Sequence, residues 1–221
     1  MSRPRVLAAL AFGAALVAQP AFASFHLMQI EQVIGGVNGD TTRQAIMLRM
    51  RFAGQNLVQQ ARIQAWDAAG GTPVLIVDMG TPVPNSTLGS RVLIATSNFL
   101  PGLTPDFVMT NPIPAAYLAA GKLTFEADSG SVVWSLAWGG GSYTGTNTGT
   151  LDNDADGNFN PPFAGALPSS NTQALRFTGA AGDPSTNNAA NYALSVGAAV
   201  FTNNSGSNGT VPVELLEFTV E

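Results

Sequence analysis

The stretch Gln44–Phe52, QAIMLRMRF, alternates two kinds of side chain. On an extended chain Ile46, Leu48, Met50 and Phe52 fall on one side, and Ala45, Met47, Arg49 and Arg51 on the other. That pattern predicts a half-buried strand whose second side is wet and carries two arginines. A helix would need its apolar residues three and four apart instead. The stretch Gly121–Asp128, GKLTFEAD, repeats the period, with Leu123 and Phe125 set against Lys122, Thr124 and Glu126.

Further alternating runs predict strands at Leu27–Ile34, Leu57–Trp66, Pro73–Asp78, Arg91–Thr96, Val132–Trp138, Ala174–Thr178, Ala198–Phe201 and Val213–Val220. Between them lie clusters such as GGVNGD, DAAGGTP and AAGDPSTNN, whose residues supply positive φ, fixed φ or side-chain bonds to the backbone. One short helix is expected near Pro114–Ala120. Many short strands without intervening helices imply an all-β fold, an antiparallel β-sandwich of about 8–10 strands.

The first residues have the order of an export signal. Arg3 and Arg5 precede the apolar run VLAALAFGAALVA, and Ala21-Phe22-Ala23 is a small-x-small cleavage pattern. The run is too short to span a bilayer, which takes roughly 20 residues. A cleavable signal peptide is therefore expected at 1–23, a sandwich at 24–203, and a linker with a terminal strand at 204–221. No second run is long and apolar enough to be a membrane span.

Without Arg3 and Arg5, seven bases face fourteen acids, a net charge of −7. The bases are scattered, and only Arg49 and Arg51 recur on one strand face. Nucleic-acid binding, which needs a basic surface, is not expected. Cysteine is absent, so stability must come from burial and hydrogen bonds, with a metal as the remaining candidate.

The order of the strand motifs resembles a known family. LMQIEQVIGGVNGDTTRQAIMLRMRFAGQNLV is followed by RVLIATSNF, then GKLTFEADSGSVVWSLAWGG, then TQALRFTG. This succession, over roughly residues 25–203, resembles the lamin-tail domain of nuclear lamins and of many bacterial secreted proteins. The resemblance implies an immunoglobulin-like β-sandwich that serves in adhesion, anchoring or scaffolding and carries no catalytic site.

Three stretches hold candidate chemistry. In LDNDADGNFN, Asp152, Asp154 and Asp156 alternate ahead of Gly157, as in the first half of an oxygen-ligand calcium loop. Asn158 and Asn160 fall at further ligand positions, but Phe163 stands where a closing carboxylate belongs. Calcium bound by Asp152, Asp154, Asp156, Asn158 and Asn160 is one reading; a solvated turn is the other. Trp134 and Trp138 share a strand face with Val132 and Leu136, which favours a core over a sugar platform. Tyr143 is the expected exposed aromatic. The arginines Arg49 and Arg51 could receive an acidic partner or a carboxylated polysaccharide, or pair across strands with a residue such as Glu126.

Catalysis finds little support. His26 is the single histidine, there is no thiol and no G-x-S-x-G elbow, and the strand acids Glu31, Glu126 and Asp128 are of the kind usually just solvated. The expectation is a secreted, non-enzymatic structural or interaction module of the cell surface or extracellular medium, with the periplasm as an alternative compartment. Its partner would be a protein or a polysaccharide. Two further readings are a carbohydrate-binding module and a matrix subunit that self-associates by strand exchange.

Overall fold

The computed structural model describes residues 25–148, 153 and 157–213. The export segment expected at 1–23 lies outside these residues, as do positions 214–220 of the last expected strand. Twelve strands are described: β1 (Met28–Ile34), β2 (Ala45–Met50), β3 (Ala61–Trp66), β4 (Val74–Met79), β5 (Arg91–Ala95), β6 (Phe107–Val108), β7 (Gly121–Ala127), β8 (Val132–Trp138), β9 (Leu175–Phe177), β10 (Tyr192–Leu194), β11 (Val200–Thr202) and β12 (Asn208–Thr210). Ten of them form two sheets, ordered β10-β9-β1-β2-β5-β6 and β4-β3-β7-β8. The pairings are antiparallel apart from the short parallel contact of β5 with β6. β11 and β12 form a separate antiparallel hairpin.

The sandwich core follows from the alternation. Ile30, Leu48 and Val92 from the six-stranded sheet meet Ile63, Phe125, Leu136, Trp134 and Trp138 from the four-stranded one. Both tryptophans are fully buried. A buried indole N–H left without an acceptor costs about 1–3 kcal/mol, and both are satisfied. Trp134 Nε1 donates to the Tyr192 hydroxyl at 2.8 Å, which itself donates to the Ile30 carbonyl at 2.6 Å. Trp138 Nε1 donates to the Tyr117 carbonyl at 2.9 Å.

The face of β2 expected to be wet is covered. Ala45 and Met47 join Ile34, Leu93, Phe99, Phe201 and Val211 in a second core beneath the β11–β12 hairpin. A hairpin from the far end of the chain lies on that face, which local alternation could not register. Only Arg49 on it remains partly exposed, its side chain at 27%. Arg51 does not continue the pattern either, because β2 ends at Met50 and the chain turns. Its guanidinium stacks 5.5 Å from the Trp134 ring and donates to the Gly182 carbonyl, while Phe52 is turned out to solvent.

Residues 204–211, expected as a linker, are built into the domain. Asn203 Oδ1 accepts the Ser207 N–H at 2.9 Å and the Ser205 hydroxyl at 2.7 Å, and Gly206 supplies φ of 87°. The same Asn, Ser and Gly residues that suggest a flexible link are those of a tight hairpin turn. The helix expected near Pro114–Ala120 is a single 3-10 turn at Ala115–Tyr117. A four-residue helix, α1 (Asn188–Asn191), occurs where the sequence showed only turn residues.

β1 contains a bulge. Ile30 pairs with Leu48 and Gln32 with Met47, so Glu31 is the additional residue. Parity reverses there, and Val33 rather than Gln32 continues the inner face. Glu31 and Gln32 therefore both lie on the outer face.

Candidate functional site

The β11–β12 hairpin covers one part of the outer face of the six-stranded sheet. Another part is an open groove of about 610 Å³, lined by Glu31, Arg49, Arg91 and Arg176 among others. Each charged residue arrives from a different strand. Arg49 on β2 pairs in register with Arg91 on β5, and Arg176 on β9 lies opposite Gln32 on β1. Arg91 grips the bulged Glu31 with two bonds, Nε to Oε2 at 2.7 Å and Nη2 to Oε1 at 3.0 Å, and Arg49 Nη1 lies 3.7 Å from Oε1.

Among the described residues, one carboxylate beside three guanidinium groups leaves an excess of two positive charges there. The whole chain carries −5. Arg176 is exposed, and its side chain has no hydrogen bond or ion pair among the described residues. The Arg49 Nε is buried and without a partner among them. Guanidinium groups stay charged and present forked donors suited to carboxylate, sulfate or phosphate oxygens. The rim is apolar, with Leu194, Val196 and Val200 all exposed. No histidine lines this groove, and its carboxylate is already held by two arginines. Such a surface can hold an anion through its guanidinium forks.

One wall of the groove is β11, whose Val200 and Thr202 are lining residues. Hydrogen bonds join β11 to β12 at Ala199 with Val211 and at Asn203 with Ser207. In an antiparallel pair the intervening alternate residues direct their N–H and C=O groups away from the partner. For Val200 and Thr202 that outward edge is met, among the described residues, by side chains. Gln32 Nε2 donates to the Val200 carbonyl at 3.1 Å, and the Thr202 N–H rests 3.3 Å from the Met47 sulfur.

The aspartates Asp152, Asp154 and Asp156 lie outside the described residues. Asn158 is exposed, whereas Asn160 is fully buried. Asn160 Oδ1 accepts the Asn188 N–H at 2.6 Å, and its Nδ2 donates to the Ser185 carbonyl. It belongs to a buried network with Asn147, Asn153, Ser185 and Asn188 that closes the outer edge of β8. Asn153 Oδ1 takes the Ser135 N–H and the Ser135 hydroxyl, the latter at 2.8 Å. Asn188 Oδ1 takes the Ala137 N–H and the Asn147 Nδ2, both at 2.9 Å. The Ala137 carbonyl accepts the Phe163 N–H at 2.9 Å. Amide side chains thus supply two of the bonds that a fifth strand would make. Among the described residues no group of three or more His, Cys, Asp or Glu side chains is placed to hold a metal.

Tyr143 is buried, not exposed. The loop after β8 folds back, with the Thr144 N–H bonded to the Ala68 carbonyl at 2.8 Å, so the ring packs against Ala120 and Ala137. Its hydroxyl donates to the Thr146 carbonyl at 2.9 Å, and burial pushes the phenol pKa far above its ordinary value. With Trp134 and Trp138 also inside, none of these three rings offers a sugar a flat exposed face. Glu126 pairs with Arg62 at 3.0 Å, not with Arg49. His26 shares a pocket of about 450 Å³ with Asp128, Ser129 and Ser131. Among the described residues no hydrogen bond links the imidazole to any of the three.

The sequence reading picked out Arg49 but missed Arg91, Arg176 and Glu31 as its companions. Their only local signal is a charged residue within an otherwise apolar strand, which also marks any solvated position. No protein-family model and no curated protein matches this chain.

Proposed function

We propose that the chain is a non-enzymatic interaction module, of lamin-tail-like and immunoglobulin-like type, exported to the cell surface or the extracellular medium. In this reading it receives an acidic partner in the arginine groove. The supporting observation is a groove lined by Arg49, Arg91 and Arg176 and by one carboxylate, Glu31, which pairs with Arg49 and Arg91 and leaves an excess of two positive charges among the described residues. The ordered export features of residues 1–23 support the compartment.

Titration of the purified chain with polygalacturonate tests the partner chemistry. Binding is expected to weaken with added salt, because exposed charges are screened beyond about 8 Å at physiological ionic strength. It is expected to fall at least tenfold in Arg176→Glu. Equal binding by variant and parent, or none by either, would overturn the reading. Fractionation of the native protein is expected to find it in medium or envelope.

Calcium enters this proposal as a stabiliser of the aspartate loop; Asn153 within that run and Asn160 after it are anchored in the β8 network. Thermal melts in calcium and in a chelator should then differ. Identical curves would remove calcium from the proposal.

A further inference from the structure

We infer that the arginine groove is an open strand slot, and that its occupant is the segment 213–221 of a second copy of this chain, added to the free edge of β11. This rests on the acidic-partner reading above and names the partner.

The slot has the polarity of a sheet edge. Among the described residues β11 has a strand neighbour on one side only, and its outward Val200 carbonyl and Thr202 N–H meet the side chains of Gln32 and Met47, which line the groove. A thioether is a weak acceptor, so the Thr202 N–H on the Met47 sulfur is a donor that a strand carbonyl would take over. Exposed strand edges with unfilled backbone groups accept extended segments from other chains.

The segment VELLEFTVE has the chemistry this slot requires. It holds Glu214, Glu217 and Glu221 and no basic residue, and its remaining members are mostly strand formers. On an extended chain Leu216, Phe218 and Val220 share one side, while Glu217 and Glu221 share the other. Laid beside β11, that strand would set Glu217 and Glu221 over the guanidinium floor. Leu216 and Phe218 would then lie next to the exposed Val200.

The donor is a second molecule because of where the chain leaves the domain. Val211 is buried at the end of β12, and the Pro212 carbonyl accepts Asn38 Nδ2 at 3.0 Å, at the turn between β1 and β2. β11 stands between that exit and its own free edge, so a copy's own segment would have to double back across it. Donation from one copy to the next is a head-to-tail contact, which generates rings or open filaments.

Sedimentation velocity of the full chain over a range of concentrations, beside the chain ended at Val213, tests the occupant. The full chain is expected to form concentration-dependent assemblies and the shortened chain to stay monomeric. A labelled peptide of residues 213–221 should bind the shortened chain, and Arg176→Glu should weaken that binding tenfold or more. A peptide with Glu214→Lys, Glu217→Lys and Glu221→Lys should instead prefer the Arg176→Glu chain. Arg176 is exposed and unpaired among the described residues, so its variants keep the fold.

A shortened chain that assembles like the full one overturns the inference. So does a full chain that stays monomeric while its shortened form binds the peptide, since the segment then fills its own slot. If the peptide fails to bind but polygalacturonate binds in an Arg176-dependent way, the strand occupant falls and the acidic-partner reading stands. Loss of both removes both.

Discussion

Two strand edges in this molecule meet the same physical demand in opposite ways. The outer edge of β8 gives the Ser135 and Ala137 N–H groups to Asn153 and Asn188, within a network whose members are buried. The outer edge of β11 gives its groups to one glutamine and one thioether at the rim of a groove with an open, charged floor. A fully bonded edge inside the protein cannot recruit another strand; a poorly bonded one at the surface can. In the proposed reading, interaction belongs to β11 and structural integrity to β8.

The largest effect is expected at the closed edge. Asn188→Ala strands the Ala137 N–H and one N–H of the Asn147 amide in the interior, and each buried unsatisfied group costs about 1–3 kcal/mol. Urea unfolding should show a loss of about 2–4 kcal/mol; a loss under about 1 kcal/mol would break the contrast.

Glu31→Gln comes next. Glu31 is buried but its arginine partners are about a third exposed, so solvent screens the pair, and the cost should be about 1–2 kcal/mol. Removing the one carboxylate of the floor should at the same time raise affinity for polygalacturonate. Unchanged affinity would mean that the net charge of the groove does not govern binding.

Met47→Leu sharpens the description of the open edge. It conserves volume, so stability should change by less than about 1.5 kcal/mol. Amide exchange at Thr202 should stay within a few-fold of its original rate, and far faster than at Ser135 or Ala137. Strong protection at Thr202 in the isolated chain would show that its edge is not open.

The smallest effect is expected at Asp106, which fastens the β11–β12 hairpin to the sheet. Its Oδ2 accepts the Leu93 N–H at 2.7 Å and the Asn204 N–H at 2.8 Å. Burial raises its pKa above 3.8, against the smaller opposing pull of those two bonds. Between 3.8 and the higher folded value the native state binds more protons than the unfolded one. Stability from this group therefore falls as pH rises through that window. Asp106→Asn should abolish that slope and change neutral-pH stability by under about 1 kcal/mol, because one amide oxygen can accept both N–H groups. Urea unfolding at several pH values, compared between variant and parent, reads this directly.

Much of the sandwich was legible. Val132–Trp138 is a strand over the expected residues, and Trp134 and Trp138 face inward because their companions at alternate positions are aliphatic. The second core was not legible, since Met47 is buried by Phe201, more than 150 residues away. Nor was the role of Asn153 and Asn160. An asparagine beside aspartate and glycine looks the same whether it turns the chain, binds a cation or closes a strand edge. The short strands β6, β10 and β12, with two or three residues each, carry too few positions for a period to show.

The sequence alone determined that this chain is all-β, which residues of strands such as Val132–Trp138 face the sandwich core, and which ionisable groups it possesses. Alternation is a local property, because successive side chains of an extended backbone point to opposite faces whatever lies nearby. Tertiary structure decided which of those faces receives a second cover, which edges are closed, and that arginines from β2, β5 and β9 line one groove with a bulged glutamate. Those outcomes depend on strand order and register, which are set by packing between segments far apart in the chain.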